Sequence, residues 1–187
     1  MHTSVSTAPN RIVGMFVLLL FAIVPTAHAS TLVSGSITYD TTWTKDESPY
    51  VIGTDVIIES GVTLTIESGV VVKFDPNTYG AKVRGRIVAR GTTAEGIVFT
   101  SLRDDSVGGD TNEDGEDTTP FHGDWLLAFS GTTSAASVFE NVVFAYPDTL
   151  SFKNASASFA HTEIAYADTG LYVDDSSSIS MSDTSFH

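Results

Sequence analysis

The sequence predicts an all-β protein, a parallel β-helix in which short strands coil around one apolar core. Two observations after the N-terminal segment lead to this prediction. Apolar residues alternate with polar ones between regularly placed glycines, and similar segments recur 20 and 22 residues apart. Alternation with a period of two indicates strands, whereas a helix repeats every 3.6 residues. A short sequence period is typical of stacked units that cannot bury their apolar faces alone.

Residues 1–29 have the order of a secretory signal peptide. Arg11 precedes an apolar run of 13 residues, Ile12 to Val24, and Ala27-His28-Ala29 forms a small-x-small cleavage site. This run is shorter than the roughly 20 residues that span a membrane. We therefore expect cleavage after Ala29 and a mature chain that is exported and has no membrane span.

The charge of the expected mature chain excludes some partners. It has 158 residues, with 8 Lys and Arg against 23 Asp and Glu, a formal net charge of −15. Nucleic acid is excluded, because phosphates require a basic surface. The sequence has no cysteine, so neither disulfides nor thiolate metal sites are available. Stability must come from a core, and a chain of this length can form one domain.

Three short strands are predicted at the start of the repeats. They comprise Val56–Ile58, Val62–Ile66 and Val70–Phe74, with Gly61 and Gly69 between them. The glycines are eight residues apart, too close for a crossover helix, and each follows a serine rather than the Asn or Asp of a hairpin dipeptide. A chain that bends without reversing will coil. The alternate positions are predicted to face water: Glu59, Thr63, Thr65 and Lys73.

Internal repeats support six or seven coils. FENVVFAY, FAHTEIAY and MSDTSFH align without gaps from their leading residues Phe139, Phe159 and Met181. Earlier in the chain, VTLTIESG and VRGRIVAR match at an offset of 21 residues. A β-sandwich is the alternative fold, but it does not require such repeats. The third repeat position places the polar residues Asn141, His161 and Asp183 in one stack. The predicted core consists of Val62, Leu64, Ile66, Val70, Val72, Phe74, Ile87, Phe99, Trp125, Leu127, Phe139, Phe144, Phe159 and Ile164.

The mature chain is predicted to have a lead-in or cap at residues 30–55 and coils at residues 56–187. An acidic loop at residues 102–124 interrupts the coils. The last segment carries Ile179, Met181 and Phe186 at core positions and contains no capping helix or charged strand. We expect a solenoid truncated at its C-terminus, which self-associates through an open edge.

The acidic loop contains a D-x-N-x-D-G pattern typical of calcium loops. Asp110, Asn112 and Asp114 take ligand positions 1, 3 and 5, and Gly115 permits the turn. Position 12 is Phe121, so the loop is not an EF-hand. Calcium requires six to eight oxygens, and a solvated acidic loop without bound metal is the alternative. The further candidate ligands are a carbonyl near Glu116 and the side chains of Asp117, Asp104, Asp105 and Asp124.

Half of the mature cations lie in one short segment. Lys82, Arg84, Arg86 and Arg90 are predicted to share an outer face of one strand. They could bind an acidic polysaccharide, because arginine forks fit carboxylates. The structural alternative is pairing with Glu67 and other acids on neighbouring coils.

The region from Thr38 to Trp125 resembles the N-terminal coils of secreted bacterial right-handed parallel β-helix proteins of the pectin-lyase-like fold. The motifs that carry the resemblance are GVTLTIESGV, GRIVARGT, IVFTS and the closing GDW. It implies a secreted or cell-surface protein with a structural, adhesive or glycan-binding role, whose partner is a polysaccharide or cell-surface glycan. The alternative is a polysaccharide lyase or hydrolase acting on acidic glycans. Its paired acids would be Asp104 and Asp105, but we identify no catalytic arrangement on one strand face.

Overall fold

The chain forms a parallel β-solenoid of about seven turns. The computed structural model describes residues 29–131 and 136–187. The predicted signal peptide therefore lies outside the described residues except for Ala29. A 3-10 helix, Lys45–Glu47, accompanies the strands. Among the described residues, no helix is long and apolar enough to cross a membrane.

The described strands are short and follow each other closely along the chain. Their bounds are β1 Thr31–Ile37, β2 Thr41–Trp43, β3 Tyr50–Ile58, β4 Thr63–Ile66, β5 Val71–Phe74, β6 Ala81–Val83, β7 Arg86–Arg90, β8 Ile97–Ser101, β9 Trp125–Ser130, β10 Ser137–Glu140, β11 Val142–Ala145, β12 Pro147–Lys153, β13 Ser156–Ala160, β14 Glu163–Ala165, β15 Gly170–Val173, β16 Ser178–Ser182 and β17 Ser185–Phe186.

The strands stack into three faces, and every pairing between them is parallel. Face A contains the second half of β3 with β6, β9, β12 and β15. Face B contains β2, β4, β7, β10, β13 and β16. Face C contains the first half of β3 with β5, β8, β11, β14 and β17. Strand β3 is continuous across a corner, because Tyr50–Ile52 pairs with β5 and Val56–Ile58 pairs with β6. Each turn of the chain therefore runs from face A to face B to face C.

The register confirms the C-terminal repeats and corrects the earlier one. Phe139 pairs with Phe159, which pairs with Met181. The second pair of repeats was aligned wrongly, because Leu64 lies beside Ile87, 23 residues later rather than 21. The reason is that VRGRIVAR crosses the corner between β6 and β7, whereas VTLTI lies along β4 after its corner.

The predicted core is confirmed at every position, each residue being no more than 7% exposed. Rings of successive turns lie over one another. Phe129 stacks on Phe152 at 4.3 Å between ring centroids, and Phe139 stacks on Phe159 at 5.1 Å. Parallel strands lie about 4.8 Å apart, so equivalent side chains of adjacent turns are at ring-stacking distance.

The lead-in at residues 30–55 also belongs to the solenoid. Strand β1 pairs with β3, and β2 pairs with β4. Trp43 stacks on Tyr50 at 4.7 Å between ring centroids. The predicted boundary at residue 56 therefore falls inside β3, and the first turn begins earlier than the glycine spacing indicated.

One-residue corners explain the predicted polar stack. Asn141, His161 and Asp183 all have left-handed backbones, with φ of 51°, 49° and 47°. His161 Nδ1 lies 3.6 Å from an Asp183 carboxylate oxygen. These residues occupy equivalent corners between faces B and C, as the repeats predicted.

Candidate metal site

The acidic loop folds back over the outside of face C. It leaves β8, covers part of β5 and β8, and returns to face A at β9. Two outward-facing side chains of this face are buried because the loop covers them. Lys73 on β5 and Thr100 on β8 are both 0% exposed. Lys73 was predicted to face water; it does point outward, but the loop removes it from solvent.

Lys73 holds the first part of the loop. Its Nζ donates to the carbonyl oxygens of Asp104 at 2.8 Å and Gly109 at 2.5 Å. Burial lowers the pKa of Lys73, and the carboxylates of Asp105, Asp104 and Asp110 oppose this by attracting the proton. Burying an ammonium is unfavourable unless acceptors surround it, so the loop and Lys73 depend on each other.

Asp124 closes the two ends of the loop. Its Oδ2 accepts hydrogen bonds from Ser101 Oγ at 2.6 Å and Phe121 N at 3.1 Å. Its Oδ1 lies 3.2 Å from Arg103 Nη1. The carboxylate is almost buried, and charge-assisted bonds of this kind are the stronger ones. Asp124 therefore fastens the stem of the loop.

Asp104 has a similar anchoring role. Thr100 Oγ1 donates to its Oδ2 at 2.6 Å, and the backbone N–H of Ser106 donates to its Oδ1 at 3.1 Å. The hydroxyl of Ser106 also donates to Oδ1. Both carboxylate oxygens are thus engaged with donors beside β8. Asp104 and Asp124 were candidate ligands by sequence, and the structure places them as anchors.

The D-x-N-x-D-G segment forms a tight turn. Asp110 Oδ1 accepts the N–H of Asp114 at 3.2 Å, and its Oδ2 accepts the N–H of Gly115 at 2.9 Å. Gly115 has a φ of 68°, a left-handed conformation that glycine adopts without steric cost. Asp114 Oδ2 accepts from Asn112 Nδ2 at 2.8 Å and from the hydroxyl of Thr118. These contacts orient the acidic side chains toward one another.

The loop brings three carboxylates together. Asp105, Asp110 and Asp114 each offer one oxygen, and these oxygens lie within 4.8 Å of one another. The Oδ1 atoms of Asp105, Asn112 and Asp114 are inaccessible to solvent and have no hydrogen-bond donor. Burial, together with the nearby Asp110 carboxylate, raises the pKa of Asp105. Two carboxylate oxygens and one amide oxygen without donors fit a hard cation, because calcium and magnesium bind oxygen ligands.

Sequence reasoning identified Asp105 only as one of several possible additions to the motif. The structure selects Asp105, because the loop turns back at Gly108 and Gly109, whose φ angles are 72° and 78°. Glu116 and Asp117 do not belong to the described cluster. Their side chains follow the turn at Gly115 and are exposed.

The basic residues lie on two strands and the corner between them, which corrects the prediction of one shared strand face. Lys82 belongs to β6, Arg86 and Arg90 belong to β7, and Arg84 lies at the corner. Three of them meet acids of neighbouring turns, in the pairs Lys82–Asp55 at 3.8 Å, Arg84–Glu59 at 3.1 Å and Arg90–Glu140 at 2.7 Å. Arg86 Nε donates to Thr63 Oγ1 at 3.1 Å. Glu67 is not among these partners. The arrangement matches the structural alternative, cross-strand pairing.

Face A carries a shallow groove that sequence reasoning missed. It has a volume of about 420 Å³ and crosses the outer sides of β9, β12 and β15. Leu126 and Ala128 line its apolar part, Thr149 and Ser151 add hydroxyls, and Tyr172 is 47% exposed. Lys153 Nζ lies 5.8 Å from the centre of the Tyr172 ring. The sequence signal was the short, uncharged side chains Ala128, Ser130, Thr149 and Ser151 at alternate positions of β9 and β12.

The fold and these sites define the chain as a parallel β-solenoid with an inserted acidic loop. One curated protein is similar to part of it: Protein bark beetle of Drosophila melanogaster, 39% identical over 69 residues. The similarity covers 37% of this chain and 2% of that protein. The chain thus spans a small fraction of the length of this relative. No family model and no solved structure matches the sequence.

Proposed function

We propose that the protein is a secreted or cell-surface β-solenoid with a calcium-organised loop and a structural, adhesive or glycan-binding role. The observation that carries the metal part is the set of unpartnered oxygens of Asp105, Asn112 and Asp114 beside Asp110. Three carboxylates this close repel one another. A divalent cation replaces that repulsion with attraction and orders the loop.

The four residues supply part of a calcium shell. One oxygen from each gives four ligands, and calcium takes six to eight. Water and backbone carbonyls of the loop are the ordinary source of the others. Asp110 also keeps its turn-forming bonds to the N–H groups of Asp114 and Gly115.

Calcium titration by isothermal calorimetry tests the metal site. The variant Asp110→Ala/Asp114→Ala removes two ligands, and we expect calcium affinity to fall by more than about 100-fold, since losing an outer-shell partner alone costs 10–100-fold. Limited proteolysis with calcium present should then cut between Leu102 and Trp125 faster than in the wild type.

The matched control is Glu116→Ala/Asp117→Ala. It removes the same formal charge from the same loop but leaves the described cluster intact. We expect its calcium affinity to fall by less than about tenfold, through the weaker long-range field alone. Equal titrations for wild type and both variants would refute the calcium site.

Glycan binding is supported by the groove on face A. An exposed tyrosine offers an apolar ring with a polar tip, and the hydroxyls and Lys153 beside it can bind sugar hydroxyls or carboxylates. Small-molecule sites combine apolar walls with a few placed polar groups in this way. The paired Arg84 and Arg90 are less available, because both already contact acids.

Affinity electrophoresis with neutral and uronate-containing polysaccharides tests this role. We expect Tyr172→Ala to abolish retardation by the polymer that retards the wild type. Tyr79→Ala is the matched control, because Tyr79 is 77% exposed and does not line the groove. Equal retardation of the wild type and Tyr172→Ala would refute the groove. New reducing ends or unsaturated products in the same incubations would instead identify an enzyme.

The secreted location rests on residues 1–29. We expect the exported protein to begin at Ser30 when its N-terminus is sequenced. A chain recovered from cells with Met1 intact would contradict secretion.

A further inference from the structure

The buried ammonium of Lys73 binds two carbonyls that stand in a particular relation to the metal cluster. Asp104 immediately precedes the candidate ligand Asp105, and Gly109 immediately precedes the candidate ligand Asp110. Lys73 Nζ lies 2.8 Å from the first carbonyl oxygen and 2.5 Å from the second. One side chain of the solenoid thus ties together the backbone beside two ligands that belong to the loop.

Packing around the lysine stem fixes the segment further. A Cβ atom on Gly108 would lie 3.3 Å from Val71 Cγ1, 3.4 Å from Lys73 Cε and 3.5 Å from Pro49 Cβ. The backbone at Gly108 therefore packs closely on the solenoid, and an added Cβ would require a shift of a few tenths of an ångström. Its φ of 72° also turns the chain, so that Asp110 comes back toward Asp105.

We propose that Lys73 is a positioning residue of the cation site, which sets the separation of the Asp105 and Asp110 carboxylates before an ion arrives. The inference rests on the proposed calcium function. Without this tether the ion would have to order residues 104–110 as it binds, and this ordering would oppose binding. With the Lys73 tether, the solenoid already orders these residues before the ion binds.

The direction in which one mutation changes calcium affinity distinguishes a positioning role of Lys73 from a purely electrostatic one. Lys73→Met keeps an unbranched apolar stem and removes the ammonium. If Lys73 acted only as a nearby cation, its removal would strengthen calcium binding, because a positive charge beside the cluster repels the ion. Positioning predicts the opposite: calcium affinity falls by about tenfold or more, the usual size of an outer-shell effect on a metal site.

The experiment measures calcium affinity by calorimetry in the mature protein and protease cutting of the loop without calcium. We expect Lys73→Met to bind more weakly and to be cut faster between Leu102 and Trp125 before calcium is added. Lys82→Met is the matched control, since Lys82 is an exposed lysine on β6 whose described ionic partner is Asp55. It should titrate like the wild type.

A second variant keeps the test decisive if Lys73→Met does not fold. Gly108→Ala retains the ammonium but strains a left-handed backbone and adds a tight contact with Val71, so the segment must shift relative to β5. Gly108 is exposed in the loop, and the substitution leaves the core unchanged. We expect it also to lower calcium affinity and to speed cutting. Unchanged or tighter binding in Lys73→Met, or in Gly108→Ala where the first variant is unfolded, would overturn the positioning role while leaving the calcium site in place. A wild type that binds no calcium would overturn both.

Discussion

Apolar residues inside the solenoid pack in rows along the stacked strands, with equivalent positions of adjacent turns side by side. Phe144 is 0% exposed and pairs with Phe99 of the preceding turn, at 4.9 Å between ring centroids, and with Ile164 of the following turn. The ring of Phe159, on face B, contacts it edge-on at 6.3 Å. Truncating such a side chain removes both transfer free energy and contacts with a rigid surround. The neighbouring turns cannot move together to fill the cavity that the truncation leaves, because the parallel backbone ladder holds them at fixed spacing.

We therefore expect Phe144→Ala to lower the free energy of unfolding by about 3–5 kcal/mol. Urea denaturation followed by tryptophan fluorescence, from Trp43 and Trp125, measures the change. Val138→Ala is the control, because Val138 is only half-buried on the outside of β10; we expect a loss of about 1 kcal/mol or less. Comparable losses in the two variants would mean that the stacked rings do not form the core.

Asp174 lies at a corner whose contribution to folding stability depends on pH. Its carboxylate accepts bonds from Ser177 Oγ and from the N–H groups of Asn154 and Ser176, and these bonds lower its pKa below the ordinary value of 3.8. A carboxyl whose pKa is lower in the folded state stabilises that state above its unfolded pKa. This contribution is lost as the pH falls through the lower, folded pKa.

We expect the wild type to lose this contribution only below about pH 3.8, the ordinary carboxyl value. Asp174→Asn lacks it at every pH. The difference in unfolding free energy between the two proteins should therefore be constant near neutrality and shrink on acidification below that value. Urea titrations at a series of pH values measure it. A difference that grows toward low pH would contradict the assignment.

At the scale of single elements, the C-terminal strands differ from the others. Met181 on β16 and Phe186 on β17 align with the buried Phe159 and Ile164 of the preceding turn, yet they are 41% and 52% exposed. The outer edges of these strands carry backbone groups without a further strand among the described residues. Open parallel edges with apolar side chains pair with other chains.

We predict that residues 30–187 produced alone self-associate through β15, β16 and β17. Met181→Lys with Phe186→Lys should shift the protein toward monomer in sedimentation velocity runs, because two buried ammonium groups would oppose the contact. Leu32→Lys is a matched control, since Leu32 is 71% exposed on β1 at the opposite end of the described solenoid. If the protein is monomeric at high concentration, this edge is not adhesive.

The strands could be predicted from sequence more completely than their stacking. Alternation from Val56 to Phe74 gave the inward positions, because a one-residue shift would reverse every side chain. The offset between β4 and β7 was wrong, because corners vary in length while strands keep their period. Turns of unequal length hide a repeat from ungapped alignment, and only the hydrogen-bonded register restores it.

The part of the candidate site that comes from one short sequence segment was predictable. Asp110, Asn112 and Asp114 lie in one motif, whose spacing alone predicted a shared side. The choice of Asp105 over Asp104 depends on how the loop folds back on β5 and β8. Alternation could place Lys73 on the outer side of its strand, but it could not show that a loop covers that side.

At the scale of the whole molecule, the acidic loop and the face A groove adjoin the same strand. The loop returns to the solenoid at Asp124, and Leu126 of β9 lines the groove directly afterwards. Tyr146 and Tyr166 stack at 5.0 Å along the corner between faces C and A. Ordering the loop by calcium would therefore stiffen one border of the proposed glycan surface.

We predict that polysaccharide binding weakens when calcium is removed. Affinity electrophoresis with chelator should reduce the retardation of the wild type, and the Asp110→Ala/Asp114→Ala variant should show the reduced value with or without chelator. A polymer that binds the wild type equally under both conditions would show that loop and groove work independently.

Both ends of the loop are fastened to the solenoid, so the loop is an insertion with a closed base. Leu102 N bonds to Phe74 O at 2.7 Å on one side, and Asp124 closes the other. One turn later, Tyr146 alone spans the same corner between β11 and β12. The coil thus accepts either one residue or more than twenty at this junction, and the pairing of β12 with β9 adjusts by one register shift between Pro147 and Thr149. A different segment grafted between Leu102 and Asp124 would meet the same scaffold, but it would have to replace the carbonyl acceptors that the present loop supplies to Lys73.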